Sequence, residues 1–263
     1  MHPVLFELGP LTLHSYGAGV GTALLLGMWT ASKLTEGDPR WAKDFFWFAA
    51  LLTVPLALLG ARLEYVRQHW SEGFGEDLAS IFMITDGGVV FHGGLVGGAI
   101  GLALAVWLKK APLLPTLDAA AVTVGYGLVF ARLGCFGAGC CYGDATDLPW
   151  GVVFSHPDSI APGDLARHPT QLYAAIFGAI LGPVLTLKFL RRRFDGQVAV
   201  TLGVLYPVFR IVNEILRGDG ERGWLIEGVL TPAQGFSLAA VALSLTAGFV
   251  LARRASSSSP SPG

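Results

Sequence analysis

The chain has 263 residues, 52% of them hydrophobic and only 14% charged, with a net charge of −1. So apolar a composition excludes an ordinary soluble domain and fits a polytopic membrane protein. Three cysteines, all between Cys135 and Cys141, do not make a disulfide framework. No basic segment precedes the first apolar run, so no cleavable signal peptide is expected.

Apolar windows fall at about 14–34, 46–66, 88–108, 113–136, 170–190, 197–216 and 229–251. Each is near the roughly 20 residues needed to cross hydrocarbon. The expected fold class is an all-α polytopic membrane protein of about seven transmembrane helices, forming a single helical domain over residues 1–255. Ser256 to Gly263 reads as a low-complexity, disordered tail. Lys33, Arg40 and Lys43, then Lys109 and Lys110, then Lys188 and Arg191 to Arg193, then Arg253 and Arg254 occupy alternate connections. The positive-inside rule places these in the cytoplasm, with the N-terminus outside and the C-terminus inside. The outer segments 67–87 and 143–168 are polar enough to form a small extracytoplasmic cap.

The first window carries Gly17, Gly19 and Gly21, a face of small residues. The third opens on Asp86-Gly87-Gly88-Val89-Val90-Phe91-His92-Gly93-Gly94 and continues through Gly97, Gly98 and Gly101. Small residues at four-residue spacing let a second helix approach closely. His92 is expected about one turn inside that helix, roughly 6 Å from its first residue.

Seven arginines, Arg62, Arg67, Arg132, Arg167, Arg210, Arg217 and Arg222, fall at outer helix ends or in outer loops, as do all six histidines. Arg132 and Arg210 fall inside spans, where an arginine costs roughly 2.5–3.5 kcal/mol at the bilayer centre. That expense points to an outer face built to hold an anion, with structural salt bridging as the competing account. A guanidinium fork bonds two phosphate oxygens at once. Arg210, Glu214 and Arg217 are spaced i, i+4 and i+7 and share one helical face. Around Arg132 the chain reads Ala131-Arg132-Leu133-Gly134-Cys135-Phe136-Gly137-Ala138-Gly139-Cys140-Cys141-Tyr142-Gly143. Its glycines permit turns and close backbone approach to a ligand.

His168-Pro169-Thr170-Gln171-Leu172-Tyr173 precedes the fifth window, with Pro169 suited to the first helical position. Gln171, Tyr173 and Tyr16 offer polar groups near the outer interface, where belt tyrosines are also common. The cysteine spacing lacks a four-ligand metal pattern, and adjacent Cys140 and Cys141 would pair only with strain. The cysteines therefore read as small packing residues at a helix end, with a covalent role for one of them as the alternative. No metal, cofactor or nucleic-acid partner is expected.

Taken together these segments resemble the prolipoprotein diacylglyceryl transferases of bacteria. The resemblance runs from His14-Ser15-Tyr16-Gly17 through Asp86 to Gly94, Arg132 and His168 to Tyr173, and on to Phe209-Arg210-Ile211-Val212-Asn213-Glu214-Ile215-Leu216-Arg217. It implies a seven-helix enzyme of the bacterial inner membrane with its active site toward the periplasm. Such an enzyme moves the diacylglyceryl group of phosphatidylglycerol onto the lipobox cysteine of a preprolipoprotein, releasing glycerol phosphate. Its central residues would be His92, Arg132 and Arg210, with Tyr16, Gly93, Gly94, Gly143, Gln171, Tyr173, Glu214 and Arg217 in substrate-binding roles. The family pattern Gly-Arg-x-Gly-Asn-Phe-x-Asn-x-Glu is altered here to Ala131, Cys135, Ala138 and Cys140. A related transferase with another acceptor is one alternative. A lipid-binding or transport bundle is another, although transporter sites sit near the midplane between repeats and no repeat is legible in this chain.

Overall fold

The computed structural model describes residues 2–8, 11–72, 74, 81, 88–161, 163–218, 225–227 and 229–257. Seven helices follow the apolar windows: α1 (Ser15–Leu34), α2 (Phe45–Gln68), α3 (Phe91–Lys109), α4 (Leu113–Ala138), α5 (Thr170–Leu190), α6 (Gln197–Ile215) and α7 (Pro232–Ser257). The last six are long and apolar enough to cross a membrane, which makes the chain a multi-pass membrane protein. Against the expectation of seven spans, α1 lacks that apolarity. Gly17, Gly19, Gly21 and Gly27, with Ser15, Thr22, Thr30 and Ser32, stand where large apolar side chains would be.

Two short antiparallel hairpins accompany the helices. They join β1 (Val4–Leu8) to β2 (Leu11–His14) and β3 (Val152–Val153) to β4 (Ala166–Arg167). The first is absent from the sequence reading, although its short strands flank Gly9-Pro10, a turn-type dipeptide. Among the described residues neither sheet closes. The chain divides into two compact units, one of Met1–Thr30 with Leu117–Gly263 and one of Ala31–Thr116.

In the Ala31–Thr116 unit, α2 and α3 meet through glycine. Gly60 faces the backbone of Gly93 and Gly97, Gly97 faces Leu56 and Ala57, and Gly101 faces Thr53. A Cβ added at Gly101 would lie 2.6 Å from Thr53 Cα and 2.9 Å from the Leu52 carbonyl oxygen. The small-residue face is thus in contact along its length. Helix α3 begins at Phe91, later than the apolar window. Gly88 sits at φ +81° and Val90 is extended (φ −114°, ψ 127°), so the chain enters the helix only after them. His92 therefore lies in the first turn, as the second helical residue, and not a full turn inside. Asp86, Gly87 and most of the expected 67–87 cap segment lie outside the described residues.

In the other unit, α4 is the element on which the rest is laid. Gly19 of α1 meets the Phe130 carbonyl and Gly134 Cα of α4, and Gly134 in turn meets the Ser15 and Tyr16 carbonyls. Gly125 of α4 faces Gly182 of α5. Phe177 of α5 stacks on Phe209 of α6 with ring centroids 4.1 Å apart, and α7 is seated on α6 where Gly203 meets Ser244 and Gly248 meets Val200. The Asp118 carboxylate of α4, wholly buried, accepts the backbone N–H groups of Gly196 (2.8 Å), Val198 (2.8 Å) and Ala199 (3.0 Å). These are the donors at the start of α6 that have no partner within their own helix, so a residue 78 positions away serves as the cap. Arg192 Nε stands 3.9 Å from the same carboxylate.

The 143–168 segment carries β3 and β4, and a small apolar cluster of Tyr142, Phe154 and Ala161 forms beside it with Phe136 and Val152. Pro169 is the residue before α5 and not its first helical position, which belongs to Thr170. Helix α7 continues through Ser256 and Ser257, the first two residues of the expected tail, and residues 258–263 lie outside the described residues.

Three variants test this packing. Gly101→Ala drives a methyl group into the α2 backbone and is expected to cost about 1–3 kcal/mol. Gly21→Ala, with nothing within 4 Å of the new methyl group, is expected to change stability by less than about 0.5 kcal/mol or to raise it slightly. Apparent thermal midpoints in detergent compare the two. By the same measurement Asp118→Ala is expected to cost at least the roughly 0.5–2 kcal/mol of a lost helix cap.

Candidate active site

The Ala31–Thr116 unit holds His92. The turn before α3 is fixed by Val90 N–H donating to the Ala61 carbonyl (3.0 Å) and by Arg62 Nη1 donating to the Gly88 carbonyl (3.1 Å). The His92 ring is exposed and within electrostatic range of Glu64. Gly93 and Gly94 sit in the α2 contact, Gly93 against Gly60 and Glu64, Gly94 against Ala61. Two of the seven arginines singled out in the sequence serve structure here. Arg62 is buried, donates also to the Ile81 carbonyl (2.8 Å) and lies over the Tyr65 and Phe74 rings. Arg67 pairs with Glu64 at 2.7 Å.

The other unit collects the remaining cations. Arg132, in the last two turns of α4, lies within electrostatic range of Tyr206, Cys135, Cys141 and Arg217. Arg210 of α6 is within range of Arg132, Arg217 and Tyr206, and forms an ion pair with Glu214, whose side chain is 1% exposed. Thr231 Oγ1 donates to Glu214 Oε1 at 3.4 Å. Among the described residues the Arg132 guanidinium has neither a hydrogen bond nor an ion pair. Arg210 and Glu214, which share a helical face, are thus joined, and the fold adds Arg132 from another helix.

A short backbone ladder frames this cluster. Gly143 pairs with Arg217 as an antiparallel bridge. Gly143 N–H donates to the His168 carbonyl (2.8 Å), Asp144 N–H to the Leu216 carbonyl (2.9 Å) and Gly218 N–H to the Tyr142 carbonyl (3.2 Å). Gly143 has no room for a side chain: an added Cβ would lie 2.8 Å from the His168 carbonyl oxygen. The Tyr173 hydroxyl accepts Trp150 Nε1–H at 2.8 Å and contacts His168 Nδ1 at 3.2 Å. Gln171 is fully buried, and its Nε2 donates to the Cys140 carbonyl at 2.7 Å. Tyr16 stands exposed at the start of α1. Arg167 lies over the Tyr142 ring at 4.9 Å, and Arg222 lies outside the described residues.

All three cysteines are free thiols. Hydrogen bonds from the Cys135 and Cys140 thiols hold the Cys141 thiol below its ordinary range, helped by the Arg217 and Arg132 guanidinium groups against the opposing effect of burial. Sequence reasoning passed over Tyr206, whose position four residues before Arg210 puts it on the same helical face. It also passed over Asp118, because nothing local marks a cap for a helix 78 residues away.

The arrangement brings the Arg132, Arg210 and Arg217 guanidinium groups within electrostatic range of one another, with Glu214 paired to Arg210, chemistry suited to an anionic phosphate ester. Known proteins resemble this chain over nearly its whole length. The prolipoprotein diacylglyceryl transferase family matches residues 3–250. The chain is 35% identical over 264 residues to a phosphatidylglycerol--prolipoprotein diacylglyceryl transferase of Solidesulfovibrio magneticus, covering 96% of this chain and 94% of that one. It is 33% identical over 219 residues to the protein of the same name in Clostridium tetani (83% and 86% covered) and 35% identical over 250 residues to that of Pseudomonas savastanoi (90% and 88% covered). The chain belongs to the prolipoprotein diacylglyceryl transferase family.

Proposed function

We propose that this chain transfers the diacylglyceryl group of phosphatidylglycerol to the lipobox cysteine of a prolipoprotein, forming a thioether and releasing glycerol phosphate. It works in the bacterial inner membrane, with the reacting groups toward the periplasmic face. The observation that carries this reading is Arg132. It is a guanidinium at a membrane helix with no hydrogen-bond or ion-pair partner among the described residues, with Arg210 and Arg217 in electrostatic range. Glu214 offsets Arg210, and the anion that matches Arg132 is the phosphate of the lipid headgroup.

The bond broken joins a glyceryl carbon to a phosphate oxygen, and the bond formed joins that carbon to sulfur. A thiol near pKa 8.5 is only a few per cent thiolate at neutral pH, and the thiolate is the nucleophile. His92 takes the thiol proton, a contribution of about 10² to 10⁴ in rate. Charge collects on the departing phosphate, where Arg132 and Arg210 hold it. Loss of a single such donor costs about 10² to 10³, and two together outweigh the base. Tyr16, Gly93, Gly94, Gly143, Gln171, Tyr173, Glu214 and Arg217 shape the surroundings of lipid and peptide.

The test is purified protein with phosphatidylglycerol and a lipobox peptide, read by mass spectrometry as a diacylglyceryl thioether. Wild-type protein is expected to form it, and a peptide that gains no such mass refutes the reading. Arg132→Ala and Arg210→Ala are expected to abolish activity, while His92→Ala leaves a measurable residue. Equal residual rates in all three variants would contradict the ranking of charge stabilisation above base catalysis.

A further inference from the structure

Past the end of α4 the chain folds back on itself. Gly139 is left-handed at φ +71°, its N–H reaches the Phe136 carbonyl (3.2 Å), and Cys140 N–H reaches the Cys135 carbonyl (3.1 Å). Cys141 is left-handed as well, at φ +60°, a conformation a side-chain-bearing residue seldom takes. The start of α5 fastens this turn, with Thr170 Oγ1 donating to the Cys141 carbonyl (2.6 Å) and Gln171 Nε2 to that of Cys140. In consequence the three sulfur atoms of Cys135, Cys140 and Cys141 lie within 4.8 Å of one another. Cys135 is buried and the other two are half-buried.

We propose that Cys135, Cys140 and Cys141 form a binding site for a thiophilic d10 cation of the Cu+ or Zn2+ type. With metal–sulfur bonds of about 2.3 Å, three sulfurs in a trigonal plane stand roughly 4.0 Å apart. The cluster is therefore within about 1 Å of the spacing that ligation requires. A disulfide joins only two sulfurs, at about 2.05 Å, and leaves the third thiol of the cluster unused. An all-sulfur donor set selects soft ions over Mg2+, Ca2+ or Mn2+. Three thiolates around Cu+ carry a net double negative charge, and the guanidinium groups of Arg132 and Arg217 lie close enough to Cys141 to offset it. Binding exchanges up to three S–H bonds for three metal–sulfur bonds and releases the protons to solvent. Four-ligand spacing is absent from the sequence, and the turn supplies the proximity that spacing does not show.

The test uses the full-length protein, kept reduced in detergent, titrated with Cu+ held by a colorimetric chelator. Wild-type protein is expected to withdraw one equivalent. The variant with all three cysteines replaced by serine is expected to withdraw none. Each single variant, Cys135→Ser, Cys140→Ser or Cys141→Ser, is expected to weaken uptake by at least the roughly 10- to 100-fold that loss of an outer-shell partner costs. The single variants keep the test decisive where the triple variant unfolds. Uptake that survives in the single variants unchanged overturns the proposal, as does failure of wild-type protein with three titratable thiols to take up Cu+. The readout is independent of transferase activity, so it stands or falls apart from the function proposed above.

Discussion

The candidate site depends on one buried carboxylate. Asp118 holds the first free N–H groups of α6 to the start of α4, which pins the two helices together at one end. Fourteen residues separate Asp118 from Arg132, and fourteen separate Gly196 from Arg210. At 1.5 Å per residue each arginine stands about 21 Å along its helix from the shared pin. The two helices run in the same sense, so equal lengths bring Arg132 and Arg210 level, and the structure indeed puts them within electrostatic range. A cap at one end of the bundle thus sets the spacing of charge at the other.

Glycine does the corresponding work sideways. Water cannot drive membrane helices together, so close backbone contact has to supply the attraction. Gly19 with Gly134 and Gly125 with Gly182 draw α1 and α5 onto α4, and Gly60, Gly97 and Gly101 do the same for α2 and α3. The large apolar side chains, among them Leu51, Leu95, Trp107, Ile176 and Leu243, are left on the outside, where a soluble protein would not place them. Helix α1 shows the same trade within a single element, since its glycines and hydroxyls give up apolarity and Gly19 and Gly27 gain contact with α4.

The arginines singled out in the sequence divide by how their charge is met. Arg62 finds carbonyls and aromatic faces and Arg67 finds a carboxylate, and these two are structural. Arg210 has Glu214. Burying a guanidinium without a counter-charge is expensive in a membrane, and the half-buried Arg132 carries that cost in the absence of any described hydrogen-bond or ion-pair partner. This uneven distribution sets Arg132 apart from the arginines engaged in pairing, which the count of arginines in the sequence could not do.

The sequence by itself determined the helices, because crossing hydrocarbon forces about twenty consecutive apolar residues, and every window from 14–34 to 229–251 became a helix. It also determined that Arg210, Glu214 and Arg217 share one helical face and that α3 carries a small-residue face, since both follow from helical periodicity within one segment. Its reading of where α3 starts was early, because an apolar window does not see the left-handed Gly88 that holds off the first turn. Only the tertiary structure decided which arginines meet partners, that Arg132 joins Arg210 across two helices, that Asp118 caps α6, and that three cysteines converge. Each of these is a contact between residues distant in the chain or turned toward one another by a left-handed backbone, and no periodicity along a sequence records either.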